Sequence, residues 1–95
     1  MRGGWVYILA NRYRGTIYVG VTADIHARTW QHVTDPKGFV ARYKLQQLVH
    51  VEDYPTIEEA IAREKALKKW RREWKVDLIE AANPEWLDLY ETINA

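Results

Sequence analysis

The 95-residue chain has no cysteine, which excludes disulfide stapling, thiolate metal sites and cysteine nucleophiles. It also has little excess charge. Fourteen Lys and Arg stand against 13 Asp and Glu, so the basic footprint usual among nucleic-acid binders is weak in the sum. Apolar runs are short. None approaches the ~18 residues of a membrane span, and the start, Met1-Arg2-Gly3-Gly4-Trp5, leads straight into a strand-like run without the layout of a signal peptide. A soluble protein of the cytoplasm is the expectation. With no internal repeat, low-complexity run or linker, residues 1–95 read as one domain.

What is present points to a packed core. Hydrophobic residues make up 47% of the chain, too many for disorder. A chain of this size buries roughly two-thirds of the surface its unfolded form exposes, enough for one core. Five Trp and six Tyr can fill that core or stack on bases, and composition does not choose between the two. Charge is unevenly spread. Arg63 to Lys75 carries seven Lys/Arg against Glu64 and Glu73, whereas Val76 onward has five acids and no Lys or Arg. One basic face on a nearly neutral molecule is implied.

Local patterns predict β-β-α-(α)-β-α-α-α, an α+β domain with a small three-stranded, mainly antiparallel sheet flanked by helices. Trp5–Ala10 and Thr16–Val21 are β-branched and aromatic, with turn residues between them, and read as a hairpin. Asp24 caps a helix from Ile25 to about Val33. Thr34 to Gly38 breaks it, and one helical turn at Phe39–Tyr43 precedes a third strand, Leu45–Val51. Thr56 with Glu59 forms a capping box that opens a helix to about Trp70. Another helix follows from Arg72 to Ala82. Asn83-Pro84 reads as a cap with proline at the first helical position, starting a last helix to about Glu91.

Three constellations could carry chemistry. In the hairpin, Val6 and Ile8, then Ile17, Val19 and Val21, form one apolar face. Tyr7 and Tyr18 must then share the other face, and a four-residue loop, Asn11 to Arg14, would set them directly opposite. On the hairpin alone, paired structural tyrosines account for this more simply. Arg28 and His32, four apart, lie on one helix face. A guanidinium can bind phosphate bidentately, and a histidine can orient or deprotonate a water, although a solvated arginine beside a packed histidine is the plainer reading. Glu64 interrupts the apolar stripe Ile57, Ala60, Ile61, Leu67 and Trp70 of the capped helix. A carboxylate there is costly unless it is paired or bound to a metal; an ion pair, for example with Lys68, or a partly exposed edge position accounts for it equally well. Around it, Lys65, Lys68, Lys69, Arg71 and Arg72 could contact phosphates, while Trp70 and Trp74 read as core.

Taken in order, these pieces resemble the GIY-YIG nuclease superfamily, and closely its small stand-alone bacterial members, the YhbQ-like proteins. The first signature triplet matches Trp5-Val6-Tyr7, with only the tyrosine kept. The second matches Tyr18-Val19-Gly20. Arg28 stands ten residues after the second tyrosine and His32 four further on. The Ala-Xaa-Xaa-Xaa-Glu-Lys pattern falls on Ala60 to Lys65, and the tail through Trp70, Arg72, Lys75, Asn83-Pro84 and Trp86 is also similar. Asn83 lies where some relatives place a site asparagine, but its reading as a helix cap suffices and it is assigned no role.

The resemblance implies hydrolysis of phosphodiester bonds in DNA, in repair or processing, with one Mg²⁺ or Mn²⁺ held by Glu64. Hard oxygen ligands suit such ions, which keep several waters beside one or two carboxylates. Arg28 would hold a non-bridging oxygen, and Tyr7, or Tyr7 with Tyr18, would orient or deprotonate the attacking water; which tyrosine is the base, and whether His32 takes the proton instead, stays open. Because a phenol has a pKa of ~10, Arg28, the metal and His32 would be expected to favour the phenolate. A module of the same fold that binds nucleic acid without cutting is the alternative. A monomer or weak dimer is expected.

Overall fold

A computed structural model describes residues 3–93. Three strands, β1 (Gly4–Ala10), β2 (Ile17–Thr22) and β3 (Gln47–Tyr54), form a sheet in the order β2-β1-β3, antiparallel throughout. Helices α1 (Ile25–Thr34) and α2 (Gly38–Tyr43) lie between β2 and β3 in sequence, and α3 (Ile57–Lys69), α4 (Arg72–Ala82) and α5 (Tyr90–Ile93) follow β3. The α+β class and the three-stranded antiparallel sheet agree with the sequence reading.

β1 sits in the middle, and both its faces are covered. Val6, Ile8 and Ala10 pack with Val19, Val49, Ala60 and Leu67 of α3, Ile79 of α4, and Trp86. Tyr7 and Leu9 pack with Ile25 of α1, Val40 of α2, Leu45 and Leu48. A strand buried on both sides needs an almost unbroken apolar run, which is what Val6 to Ala10 supplies.

The hairpin register differs from the expected one by two residues. Ala10 pairs with Ile17, Leu9 with Tyr18 and Tyr7 with Gly20, so the loop holds Asn11 to Thr16, not Asn11 to Arg14. The Asn11 side chain explains the extra length: its Oδ1 accepts from the Thr16 backbone N–H at 2.9 Å and closes a wider turn. Because the slip is even, Tyr7 and Tyr18 keep a common face, as diagonal neighbours instead of a direct pair.

The stripe on α3 is narrower than expected. Ala60, Glu64 and Leu67 are buried, whereas Ile61 is exposed. Thr56 caps α3, its hydroxyl accepting from the Glu59 N–H at 3.2 Å. On β3, burial pushes the Glu52 carboxyl up, but hydrogen bonds from His50, Arg63 and Tyr54 outweigh it and hold the group down at about 2. The Arg63 fork, at 2.9 and 3.1 Å, fastens α3 to this strand.

The expected helix from Asn83-Pro84 to Glu91 does not form. Asn83 ends α4 instead. Its side-chain amide donates to the Val49 and Leu87 carbonyls at 3.1 and 2.8 Å, and its Oδ1 accepts from the Leu87 N–H at 3.0 Å. That clasp turns the chain and drives Trp86, at φ 58°, into the core. The next residues bond β3: Leu89 N–H to Leu48 O at 2.7 Å, and Leu48 N–H to Asp88 Oδ1 at 3.1 Å. Only Tyr90–Ile93 is helical.

Candidate active site

The first contributors come from adjacent strands. Tyr7 on β1 and Tyr18 on β2 point to the same side, their ring centres 6.4 Å apart. Gly20 makes this possible. A Cβ there would sit 2.4 Å from the Tyr7 hydroxyl and from its Cζ, so the Tyr7 ring lies where any other residue would put a side chain. A glycine inside a strand is a signal of such close approach, and the sequence reading did not use it.

Helix α1 supplies the next two. Asp24 fixes its start, with its carboxylate accepting from the Ala27 N–H at 3.1 Å. The face it presents to the sheet carries Arg28 and His32. The Tyr7 hydroxyl lies 3.1 Å from Nε2 of His32 and 3.5 Å from an Arg28 Nη1. The His32 ring also packs 5.7 Å from Tyr7 and 6.4 Å from Tyr18. Four sequence-predicted residues thus converge.

Their protonation follows from burial and neighbours. Tyr7 is fully enclosed. Desolvation raises its pKa, and the hydrogen bond and charge of Arg28, which act the other way, do not overcome it. The expected phenolate is therefore not favoured at rest. For His32, burial lowers the pKa, and the Arg28 charge lowers it further. Both groups are neutral near pH 7. Arg28 can only donate, so the consistent assignment has Tyr7 donating to Nε2 and the imidazole hydrogen on Nδ1. Nδ1 is buried with no hydrogen-bond partner among the described residues.

Glu64 on α3 is buried, and its charge reaches Tyr7, where it raises the phenol pKa. Its Oε2 is 2.7 Å from the Lys68 ammonium one turn on, a group half exposed and 5.8 Å from the Tyr18 ring centre. Lys68, read from sequence as a phosphate contact, thus lies beside the tyrosines. The other cations divide. Lys65, Lys69 and Arg71 are exposed, with the Arg71 guanidinium 5.3 Å from the Trp74 ring centre. Arg72 is engaged, donating to the Arg14 and Gly15 carbonyls at 2.7 and 2.6 Å.

A cleft of about 370 Å³ opens beside these groups, lined by Tyr18, Arg28 and His32 and, on the α2 side, by Lys37, Gly38 and Phe39. A cavity of that size is in the usual range for ligand sites. The sequence reading did not place α2 at the site; the chain's one phenylalanine, next to a break in α1, was the available signal.

Among the described residues, no group of three His, Cys, Asp or Glu is arranged to hold a metal ion. Glu64 fits a divalent ion as a single hard oxygen ligand, with waters and a substrate phosphate completing the shell.

Comparison with known proteins bears on this cluster. Residues 3–77 match the family model described as the GIY-YIG catalytic domain. The chain belongs to the GIY-YIG family. It is also 36% identical over 70 residues to UPF0213 protein SERP0126 of Staphylococcus epidermidis, covering 70% of this chain and 82% of that one, and to the same extent to a UPF0213 protein of a second strain of that species. No solved structure matches. The GIY-YIG assignment is to a nuclease-type superfamily, and nucleic acid is the general class of partner it implies. No helix among the described residues is long and apolar enough to cross a membrane.

Proposed function

We propose that this GIY-YIG protein is a divalent-metal-dependent endonuclease that hydrolyses phosphodiester bonds in DNA, in repair or processing within the cytoplasm. The observation that carries the reading is the Tyr7–His32 hydrogen bond at 3.1 Å with Arg28 at 3.5 Å from the same phenol, directly behind a cleft lined by Tyr18, Arg28 and His32.

Arg28 binds a non-bridging phosphate oxygen. Its bond to Tyr7 is long, so turning toward the phosphate costs little and frees a lone pair on the phenol oxygen. The attacking water, oriented by Tyr18, gives its proton to Tyr7 while Tyr7 passes its own to Nε2 of His32. The relay starts from two neutral groups, and neither has to carry a buried charge before substrate arrives. The Nδ1–H of His32 stays buried, so the imidazole takes the proton at Nε2, the nitrogen that faces Tyr7. Glu64 would hold Mg²⁺ or Mn²⁺, which would supply stabilisation of charge on the phosphoryl group and the leaving 3′ oxygen.

The test is nicking of plasmid DNA in Mg²⁺ and in Mn²⁺. Wild-type protein cuts, and Glu64→Ala and Arg28→Ala each lose most activity; a single general electrostatic contact of this kind contributes ~10²–10³-fold. Cleavage that survives Glu64→Ala sinks the metal role. A second reading, a module that binds nucleic acid without cutting, is favoured by one observation: Lys68 closes off the carboxylate at 2.7 Å. DNA binding without cleavage by wild-type protein in either metal would decide for it.

A further inference from the structure

Phe39 is left 46% exposed, at the wall of the cleft that Arg28 and His32 line, and Tyr43 is left 41% exposed one turn further on. Their ring centres are 4.6 Å apart, and Phe39 is 6.1 Å from Tyr18 with the planes only 32° apart. Three rings therefore run outward from the site in a file. Helix α2 gives the core little, since only Val40 is buried. Residues 36–44 carry Lys37, Arg42 and Lys44 and no acid, and the Arg42 guanidinium is 5.8 Å from the Tyr43 ring centre. The nearest acid paired with this segment, Asp35, meets Lys37 at 3.6 Å with both side chains exposed, a pair worth little in water.

Exposed rings among cations and continuous with the cleft that Arg28 lines suit one class of occupant. A nucleic-acid strand offers flat π-faces to the rings and anionic oxygens to the cations. A second copy of this surface would set like charges together, and an apolar protein face would desolvate Lys37, Arg42 and Lys44 while offering them no anion.

We infer that Phe39 and Tyr43 are a stacking platform for an unstacked DNA base next to the phosphate held by Arg28. In an intact duplex both faces of every internal base are covered, so a ring can stack only on a base from a single strand, gap, loop or flipped nucleotide. The substrate class is thus DNA with an unpaired nucleotide at the site. This rests on the nuclease reading of the cleft and narrows it.

The experiment measures binding separately from cleavage. Full-length protein is titrated, in EDTA, into a DNA oligonucleotide containing 2-aminopurine, either single-stranded or annealed to its complement, and the fluorescence is read. Wild-type protein quenches the single-stranded probe and binds it more tightly than the duplex. Phe39→Ala weakens single-strand binding roughly 5- to 150-fold, the equivalent of ~1–3 kcal/mol per stacked base. Phe39→Trp retains binding. Phe39→Leu, apolar but unable to stack, behaves as Ala, with circular dichroism confirming the fold of each. Equal affinity of wild type, Ala and Leu overturns the platform, as does a duplex bound as tightly as the single strand. Platform behaviour without cutting in Mg²⁺ or Mn²⁺ upholds this inference and overturns the hydrolase reading alone.

Discussion

Gly20→Ala tests the site through packing, not through the removal of a functional group. The added methyl would lie 2.4 Å from the Tyr7 hydroxyl and Cζ, where ordinary contact begins at 3.4 Å. The backbone at Gly20 is not left-handed, so alanine is tolerated there as a conformation and the whole effect is the overlap. Tyr7 must retreat by about 1 Å, and a ring enclosed on all sides has little room to do so. Overpacking of this kind costs ~1–3 kcal/mol. The larger effect is on chemistry. A hydroxyl moved by about 1 Å leaves hydrogen-bond reach of His32, now 3.1 Å away, and a misplacement of that size costs on the order of 10²-fold in rate. The assay pairs urea unfolding with the plasmid nicking rate. His32 is followed by NMR titration, which reports the lost bond directly. A variant with wild-type stability, wild-type rate and an unchanged His32 titration would refute the reasoning.

Three further outcomes are expected. Lys68→Met frees the Glu64 carboxylate, so Mn²⁺ binding measured by calorimetry without DNA tightens a few-fold, in line with the ~0.2–1 kcal/mol of a partly exposed pair; unchanged affinity would show that the lysine does not compete with the ion. The relay needs neutral His32, whose pKa burial and then Arg28 set below 6.5. The rate therefore falls on the acid side as pH drops through a value under 6.5, and the raised Tyr7 pKa puts any loss from that phenol on the alkaline side. An acid limb centred above 6.5, or one that persists in His32→Gln, contradicts this. Asn83→Ala removes three hydrogen bonds in a buried turn and costs about 2–4 kcal/mol of stability, with nicking per folded molecule unchanged; activity lost without a stability loss would give Asn83 a role in the site.

The sheet, the common face of Tyr7 and Tyr18 and the common face of Arg28 and His32 were legible because they depend on parity and helical spacing, which survive small errors; that the two pairs meet was implied only by the family resemblance. The period of two fixed the face of each tyrosine even though the loop was misjudged by two residues. That misjudgement came from the Asn11 side chain, which closes a wider turn than turn propensities suggest. Glu64 stood out because an acid interrupted an apolar stripe, and it is buried as that implied. The last helix failed for the opposite reason. Asn-Pro is locally a good helix start, but Asn83 is spent on the carbonyl of Val49, 34 residues earlier, and a tertiary demand of that range leaves no local trace. The phenolate expectation counted on Arg28, a metal and His32 together; sequence displays the charge of Arg28 but not the depth at which Tyr7 lies, where burial outweighs that charge. Lys68 and Arg72 looked alike as cations in one basic run, although one faces Glu64 and the other holds the hairpin loop.

The fastening of residues 86–89 onto β3 bears on where this protein can be cut. The match to the catalytic-domain model ends at residue 77, yet Ile79 and Trp86 are among the largest enclosed side chains, and Asp88 and Leu89 occupy both backbone groups of Leu48. A fragment trimmed to the matched span would keep every proposed catalytic side chain while leaving a hollow under the sheet and raw strand backbone open to pairing with other molecules. Such a fragment should precipitate or swap strands, and its inactivity would say nothing about the chemistry.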